Sequence, residues 1–287
     1  FIVLLISSIG LFAFVSASLG ILARSESKFY GVLFNQIVLG FGFGLLGLWI
    51  TTHIPYTFWR KYAFYIFIGT VVLTACVFIP GLGFAHGGAR RWISIGPVSF
   101  QPAEFLKLGF VIYFSAWLAW MNKKGEDFKN KIIPFMVILA VVATVLLRQP
   151  DTKSLILIMA AACGMLFVSG VSWKKVALIV GLGLVAIVIL AFVRPYVMSR
   201  IKTYINPSSD PLGSSYQIKQ SLIAIGSGGI FGRGLGQSVQ KFNYLPEPQG
   251  DSVFAVIGEE FGFVGSSMLV VLYVFLAIRG YKIAMHA

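Results

Sequence analysis

The chain turns on the stretch Tyr216–Glu260, YQIKQSLIAIGSGGIFGRGLGQSVQKFNYLPEPQGDSVFAVIGEE, the longest part of the sequence that is not simply apolar. Tyr216 to Ile225 is expected to form a short helix, with Ile218, Leu222 and Ile225 on one face and Gln217, Gln220 and Ser221 elsewhere. Its expected place is along a membrane surface rather than across it. Gly226, Gly228, Gly229, Gly232, Gly234 and Gly236 then recur almost every second residue. Such a run permits positive φ and lets backbone N–H groups approach an anion, and it equally suits a mobile lid. It is not a P-loop, because Gly-Lys-Ser or Gly-Lys-Thr is missing. Leu245-Pro246-Glu247-Pro248 then stiffens the approach to one carboxylate, Asp251, at the head of the last apolar run. On spacing alone Asp251 is equally a cap for the helix that follows. Glu259 and Glu260 lie about two turns further along. Adjacent carboxylates within a span are costly in hydrocarbon and are expected to face the bundle interior.

Working outward, the composition places this stretch in a membrane protein. Of 287 residues, 57% are hydrophobic and only 11% charged, against about 25% charged in an ordinary soluble domain. Apolar runs of spanning length occur near 1–22, 31–52, 60–81, 132–148, 154–171, 174–193 and 252–278, with a less clean one at 101–120. The expected fold is all-α: a polytopic bundle of about eight spans, forming a single domain over 1–287 with a large extracytoplasmic loop at 194–251. Trp59, Tyr62, Trp92, Trp120 and Trp173 fall at run ends, as interfacial belts do. Phe1 lies inside an apolar run and the chain stops soon after another, so the sequence is expected to be a fragment clipped at one or both ends.

The formal net charge of +13 points to anionic lipid head groups or an anionic substrate. Nucleic acid is disfavoured, because no basic run with interleaved aromatics occurs in a soluble segment. An even span count puts Arg60, Lys61, Lys123, Lys124, Lys129, Lys131, Lys174, Lys175, Arg279 and Lys282 on one side. The short connections opposite carry fewer basic residues: Arg24, Lys28, Arg90, Arg91, Arg148 and Lys153. The richer side is expected to be cytoplasmic, leaving 82–100 and 194–251 outside. Cys76 and Cys163 sit in apolar runs without neighbours at metal-ligand spacing, as buried small residues do.

Three shorter motifs carry chemistry. His86-Gly-Gly-Ala-Arg-Arg-Trp-Ile-Ser-Ile-Gly-Pro97 brackets Arg91 and Trp92 with turn residues. Arg offers a planar fork for phosphate oxygens; the alternative is a re-entrant interfacial loop with snorkelling arginines. In Gln101-Pro-Ala-Glu104-Phe-Leu-Lys107, Pro102 suits a first helical turn. Glu104 and Lys107 then share a face at i and i+3, lining a polar cavity or fixing one helix against another. Gln149-Pro150-Asp151 is a tight turn whose aspartate is read first as a helix cap, with an approach to Lys107 also expected. The cytoplasmic-side loops at 122–131 and 172–175 read as solvated anchors, and 206–213 as a turn cluster.

GARRWISIGPVSFQPAEFLK, the QPD at 149–151 and the 215–265 stretch together resemble the SEDS family, the FtsW/RodA proteins of bacterial cell-wall synthesis. The resemblance covers most of the chain, and the QSVQK…YLPE wording is closer to the FtsW division branch. It implies a multi-pass peptidoglycan glycosyltransferase, usually of ten spans, which polymerises lipid II outside the cytoplasmic membrane. It also implies a class B penicillin-binding protein as transpeptidase partner, divisome proteins, and a place at the division septum. The family's essential loop aspartate matches Asp251. Its Arg-Trp matches Arg91 and Trp92, its Glu…Lys pair matches Glu104 and Lys107, and its QPD aspartate matches Asp151. Around these, Gln217, Gln220, Lys241 and Glu247 complete the expected substrate-binding set. Departures are Gln249-Gly250-Asp251-Ser252-Val253-Phe254, where the family commonly has His-Thr-Asp-Phe-Ile-Phe, and Thr152-Lys153 after QPD.

The chemistry agrees with this. A polymerase needs a base for the attacking sugar hydroxyl, and desolvation at a membrane interface strengthens a carboxylate in that role. The departing pyrophosphate needs counter-charge, from Arg, from backbone N–H groups or from a divalent cation such as Mg or Mn. The sequence assigns no metal ligand. The alternatives are a lipid II flippase, which would spread polar residues across the midplane, and a scaffold for division partners, which would need no carboxylate at Asp251.

Overall fold

The computed structural model describes residues 1–23, 25–86, 89–95, 98–125, 128–193, 195–206 and 215–286. Arg24, Arg194, most of the turn cluster at 206–213, and Gly87, Gly88, Gly96 and Pro97 of the Arg-Trp loop lie outside them.

The chain is helical, as expected, and every predicted apolar run falls on a helix. These are α1 (Ile2–Leu22), α2 (Glu26–Phe34), α3 (Phe43–His53), α4 (Tyr56–Ala75), α5 (Pro102–Lys123), α6 (Phe128–Arg148), α7 (Thr152–Val168), α8 (Trp173–Val193) and α12 (Val253–His286). The π-helical stretch Asn35–Gly42 joins α2 to α3, so that Glu26–His53 is one continuous span. Among the described residues six helices are long and apolar enough to cross a membrane, and α6 and α7 contribute shorter apolar segments. The protein is a multi-pass membrane protein. Between α8 and α12 lie the short helices α9 (Pro195–Ile205), α10 (Tyr216–Ser227) and α11 (Gln240–Asn243). On α10, Leu222, Ile223 and Ile225 are exposed.

The chain divides into two compact units: Phe1–Leu48 with Leu190–Ala287, and Trp49–Ile189. The second has an aromatic and aliphatic core, in which Phe110, Phe114 and Phe135 are fully buried with Leu106, Leu146 and Ile158. The Arg-Trp loop is a three-stranded antiparallel meander. It is built from β1 (Gly83–His86), β2 (Ala89–Ile95) and β3 (Val98–Phe100), with Ile93 opposite both Gly83 and Phe100. The alternation Trp92-Ile93-Ser94 gives β2 one buried face, through Ile93.

The first unit is built on close approach. Its core is small: Ala17, Ala224, Leu245, Ala255 and Val256. Its last helix does not run straight through. At Gly262 the backbone turns to φ 65°, ψ −162°, a conformation open almost only to glycine. The break would strand two carbonyls and two N–H groups at membrane depth, each costing several kcal/mol. The glycine run replaces the missing partners. Arg233 N–H donates to Glu259 O (3.0 Å) and Gly234 N–H to Glu260 O (2.9 Å), while Gly229 O and Ile230 O accept from Phe263 and Val264 N–H (2.9 and 3.1 Å). The contact is backbone against backbone: a Cβ on Gly232 would lie 2.2 Å from Glu260 O. These N–H groups, read above as free for an anion or carried on a lid, are spent inside the protein.

Candidate functional site

Asp251 stands on the chain just before α12. The first turn of that helix is closed by Ser252, whose carbonyl accepts from the N–H groups of Ala255 and Val256 (3.0 and 3.2 Å). The Asp251 side chain is exposed and makes no hydrogen bond or ion pair to the described residues. The capping reading therefore fails. Its neighbours are held firmly. Ser252 is buried and accepts from Gln217 Nε2 (3.2 Å), and its Oγ donates to Pro246 O (3.4 Å). The approach ends in a turn closed by Gly250 N–H on Glu247 O (3.0 Å). Glu247, between its two prolines, takes φ 43°, a left-handed conformation that costs a non-glycine residue about 1–3 kcal/mol and clusters at functional sites.

This approach forms one wall of a cavity of about 690 Å³. Ser25, Lys28, Asn35, Tyr216, Glu247 and Gln249 give the cavity its polar groups. A second, apolar groove of about 750 Å³ runs among α1, the π-helical span and α12, lined by residues such as Leu4, Leu11, Phe14, Leu45 and Val253. Gln249 lines both. Two residues before Asp251 the two thus share a wall residue; charged side chains, Lys28 and Glu247 among them, line the first and none lines the second. Lys28 is exposed and belongs to no ion pair among the described residues. Gln220, half-buried on α10, makes no hydrogen bond there.

Lys241 behaves differently from the role expected of it. It stands in the cavity wall but is only 2% exposed. Its ammonium donates to Glu260 Oε1 (2.7 Å), Gly236 O (2.8 Å) and Ser16 Oγ (3.1 Å). That charge is neutralised within the protein. Glu259 and Glu260 face inward, as the cost of charge in hydrocarbon demands. Glu259, wholly buried, accepts from Ser238 Oγ (2.6 Å) and from the N–H groups of Val239 and Gln240 (3.0 and 3.3 Å), capping α11 from a distance. Sequence reasoning missed these partners. An interior carboxylate requires a nearby cation, but Lys219, Arg233 and Lys241 were equal candidates in the sequence.

The remaining expected residues belong to the Trp49–Ile189 unit. Arg91 turns its guanidinium onto backbone, donating from Nε to Gln149 O (3.0 Å) and from a terminal nitrogen to Pro150 O. Trp92 is half-buried opposite Phe84. Glu104 and Lys107 pair at 2.6 Å, with side chains 58% and 23% exposed respectively. Asp151 does not approach Lys107. It caps α7, accepting from Ser154 N–H (3.3 Å), Ser154 Oγ (2.7 Å) and Gln101 Nε2 (3.1 Å). The neighbouring Gln149 side chain donates to Thr74 O (2.7 Å) and leaves its own oxygen buried without a partner. Among the described residues no three His, Cys, Asp or Glu side chains gather to hold a metal ion.

Comparison with known proteins agrees with this architecture. A family model for FtsW, RodA and SpoVE, described as cell cycle protein, matches residues 1–287. Stage V sporulation protein E of Bacillus subtilis (strain 168) is 37% identical over 291 residues, covering 100% of this chain and 78% of the relative. A probable peptidoglycan glycosyltransferase FtsW of Geobacter sp. (strain M18) is 38% identical over 247 residues, covering 85% of this chain and 66% of the relative. A chain from a solved peptidoglycan synthase complex, concerned with coordination of polymerization and crosslinking, superposes with TM-score 0.71 at 26% identity, covering 99% of this chain and 77% of its own. The rod shape determining protein RodA of Thermus thermophilus superposes with TM-score 0.64 at 25% identity, covering 99% and 74%. With its whole length matched and with relatives well above 30% identity, the chain belongs to the FtsW/RodA/SpoVE family of cell cycle proteins.

Proposed function

We propose that this protein is a peptidoglycan glycosyltransferase that polymerises lipid II, with Asp251 as the base. The observation that carries the reading is Asp251 itself. It is an exposed carboxylate without a partner among the described residues, two positions from Gln249, which lines both a cavity carrying Lys28 and Glu247 and a groove with no charged side chain. A cavity with charged groups beside an uncharged groove suits an amphiphile with a sugar-pyrophosphate head and a polyprenyl tail. In the reaction, an acceptor sugar hydroxyl attacks the anomeric carbon of the donor and gives its proton to the Asp251 carboxylate. The bond from that carbon to the pyrophosphate oxygen breaks, and polyprenyl pyrophosphate leaves with the electron pair. Lys28, in the wall of the first cavity, supplies positive charge for the leaving group.

The reading extends to context. The relatives' names favour work in division or sporulation, and a solved neighbour comes from a complex that couples polymerization to crosslinking. A class B penicillin-binding protein is therefore the proposed partner, the septum the proposed place, and the extracytoplasmic face the proposed side for residues 194–251. The test that separates polymerase from flippase removes the bilayer. In detergent, with the partner present, labelled lipid II should be converted to glycan strands by the full-length protein. A micelle has no second face to flip to, so lipid II left unpolymerised, together with translocation activity in vesicles, would overturn the reading in favour of a flippase.

A further inference from the structure

The chain between Lys241 and Glu260 carries Glu247, Gln249 and Asp251, and it is closed on itself at both ends. Lys241 Nζ meets Glu260 Oε1 at 2.7 Å, and Ser16 Oγ donates to both Glu260 oxygens (2.7 and 2.8 Å) while accepting from Lys241. All three side chains are at least 95% buried. The approach there is as tight as backbone allows, since a Cβ on Gly20 would lie 2.2 Å from Lys241 O. A buried ion pair is a costly way to hold two helices together, and an apolar pair of similar volume often does so at least as well. Its distinguishing property is fixed geometry: charge-assisted hydrogen bonds of set length and direction, which apolar packing lacks.

We infer that Ser16, Lys241 and Glu260 are positioning residues for the proposed reaction, a latch that closes the loop carrying Asp251 and fixes where its carboxylate stands. The inference rests on the assignment of Asp251 as base. The latch itself is sealed from substrate, so it acts through the loop. A misplacement of about 1 Å at a reacting group lowers rate by roughly 10²-fold, which sets the scale of the effect.

The experiment uses the full-length protein with its transpeptidase partner and measures kcat and KM for lipid II together with the melting temperature. The paired variant Lys241→Met with Glu260→Gln removes both charges together, so neither is left buried without its counter-charge. It should keep the wild-type melting temperature and a KM within about twofold, while kcat falls by roughly 10–10²-fold. Wild-type kcat in a stable paired variant would overturn the latch and leave the three residues as packing only. Should the pair fail to accumulate, Ser16→Ala decides. It deletes one hydroxyl and keeps the charges, and it should lower kcat by about threefold or more in protein that still folds and accumulates, at a lowered melting temperature because Glu260 Oε2 loses its donor; full kcat would overturn the proposal. Asp251→Asn is measured alongside. Its retained activity would refute the base assignment, whereas its inactivity with a fully active latch variant would refute the latch alone.

Discussion

Asp151 and Asp251 each follow a proline-containing turn and each stand at the head of an apolar helix, yet the protein uses them in opposite ways. Asp151 is 4% exposed and fully engaged, bound to the Ser154 N–H and hydroxyl and to Gln101. Asp251 is exposed and unengaged, and the start of its helix is closed one residue later by Ser252. Similar local sequence thus yields one aspartate that holds structure together and one whose carboxylate has no partner among the described residues. The difference comes from the neighbours. Ser154 lies three residues after Asp151, where a cap needs its N–H. After Asp251, Ser252 takes over the turn and is itself held by Gln217.

If engagement decides the role, stability should follow it across the carboxylates. Glu259 marks one extreme: Glu259→Ala should cost about 3 kcal/mol or more, because it strands the N–H groups of Val239 and Gln240 in a buried site along with Ser238. Asp151→Ala should cost about 1–2 kcal/mol, the usual loss for a cap. Glu104→Gln should shift stability by no more than about 0.5 kcal/mol, since the Glu104 side chain is itself exposed. Asp251→Asn should leave it unchanged within about 0.5 kcal/mol. Denaturation midpoints of the four variants in one detergent provide the check. A loss at Asp251 rivalling that at Asp151 would erase the distinction between them.

Much of this was legible from residues alone. Hydropathy placed the apolar runs, because a span needs an unbroken stretch of fixed length. The cost of buried charge predicted that Glu259 and Glu260 face inward. The proline-flanked approach singled out Asp251, and Pro102 marked the start of α5. What escaped the sequence was long-range pairing. Lys241 looked like a substrate ligand because its partner Glu260 lies beyond the loop and its third partner, Ser16, is 225 residues away. The glycine run looked like an anion cradle because the carbonyls it serves are exposed only by the break at Gly262, and a glycine within an apolar helix does not announce a break. The Arg-Trp meander was hidden by its glycines, which mark turns without saying whether the chain between them pairs.

The central claim is that Asp251 is left unengaged in order to take a proton. Its direct measurement is glycan-strand formation from lipid II by the Asp251→Asn variant of the full-length protein with its transpeptidase partner, at saturating substrate. Asn preserves size and capping ability but cannot act as the base. The account predicts normal folding, retained lipid II binding and polymerisation reduced by roughly 10²–10⁴-fold. Polymerisation near the wild-type rate would contradict it and move the search for the base to Glu247.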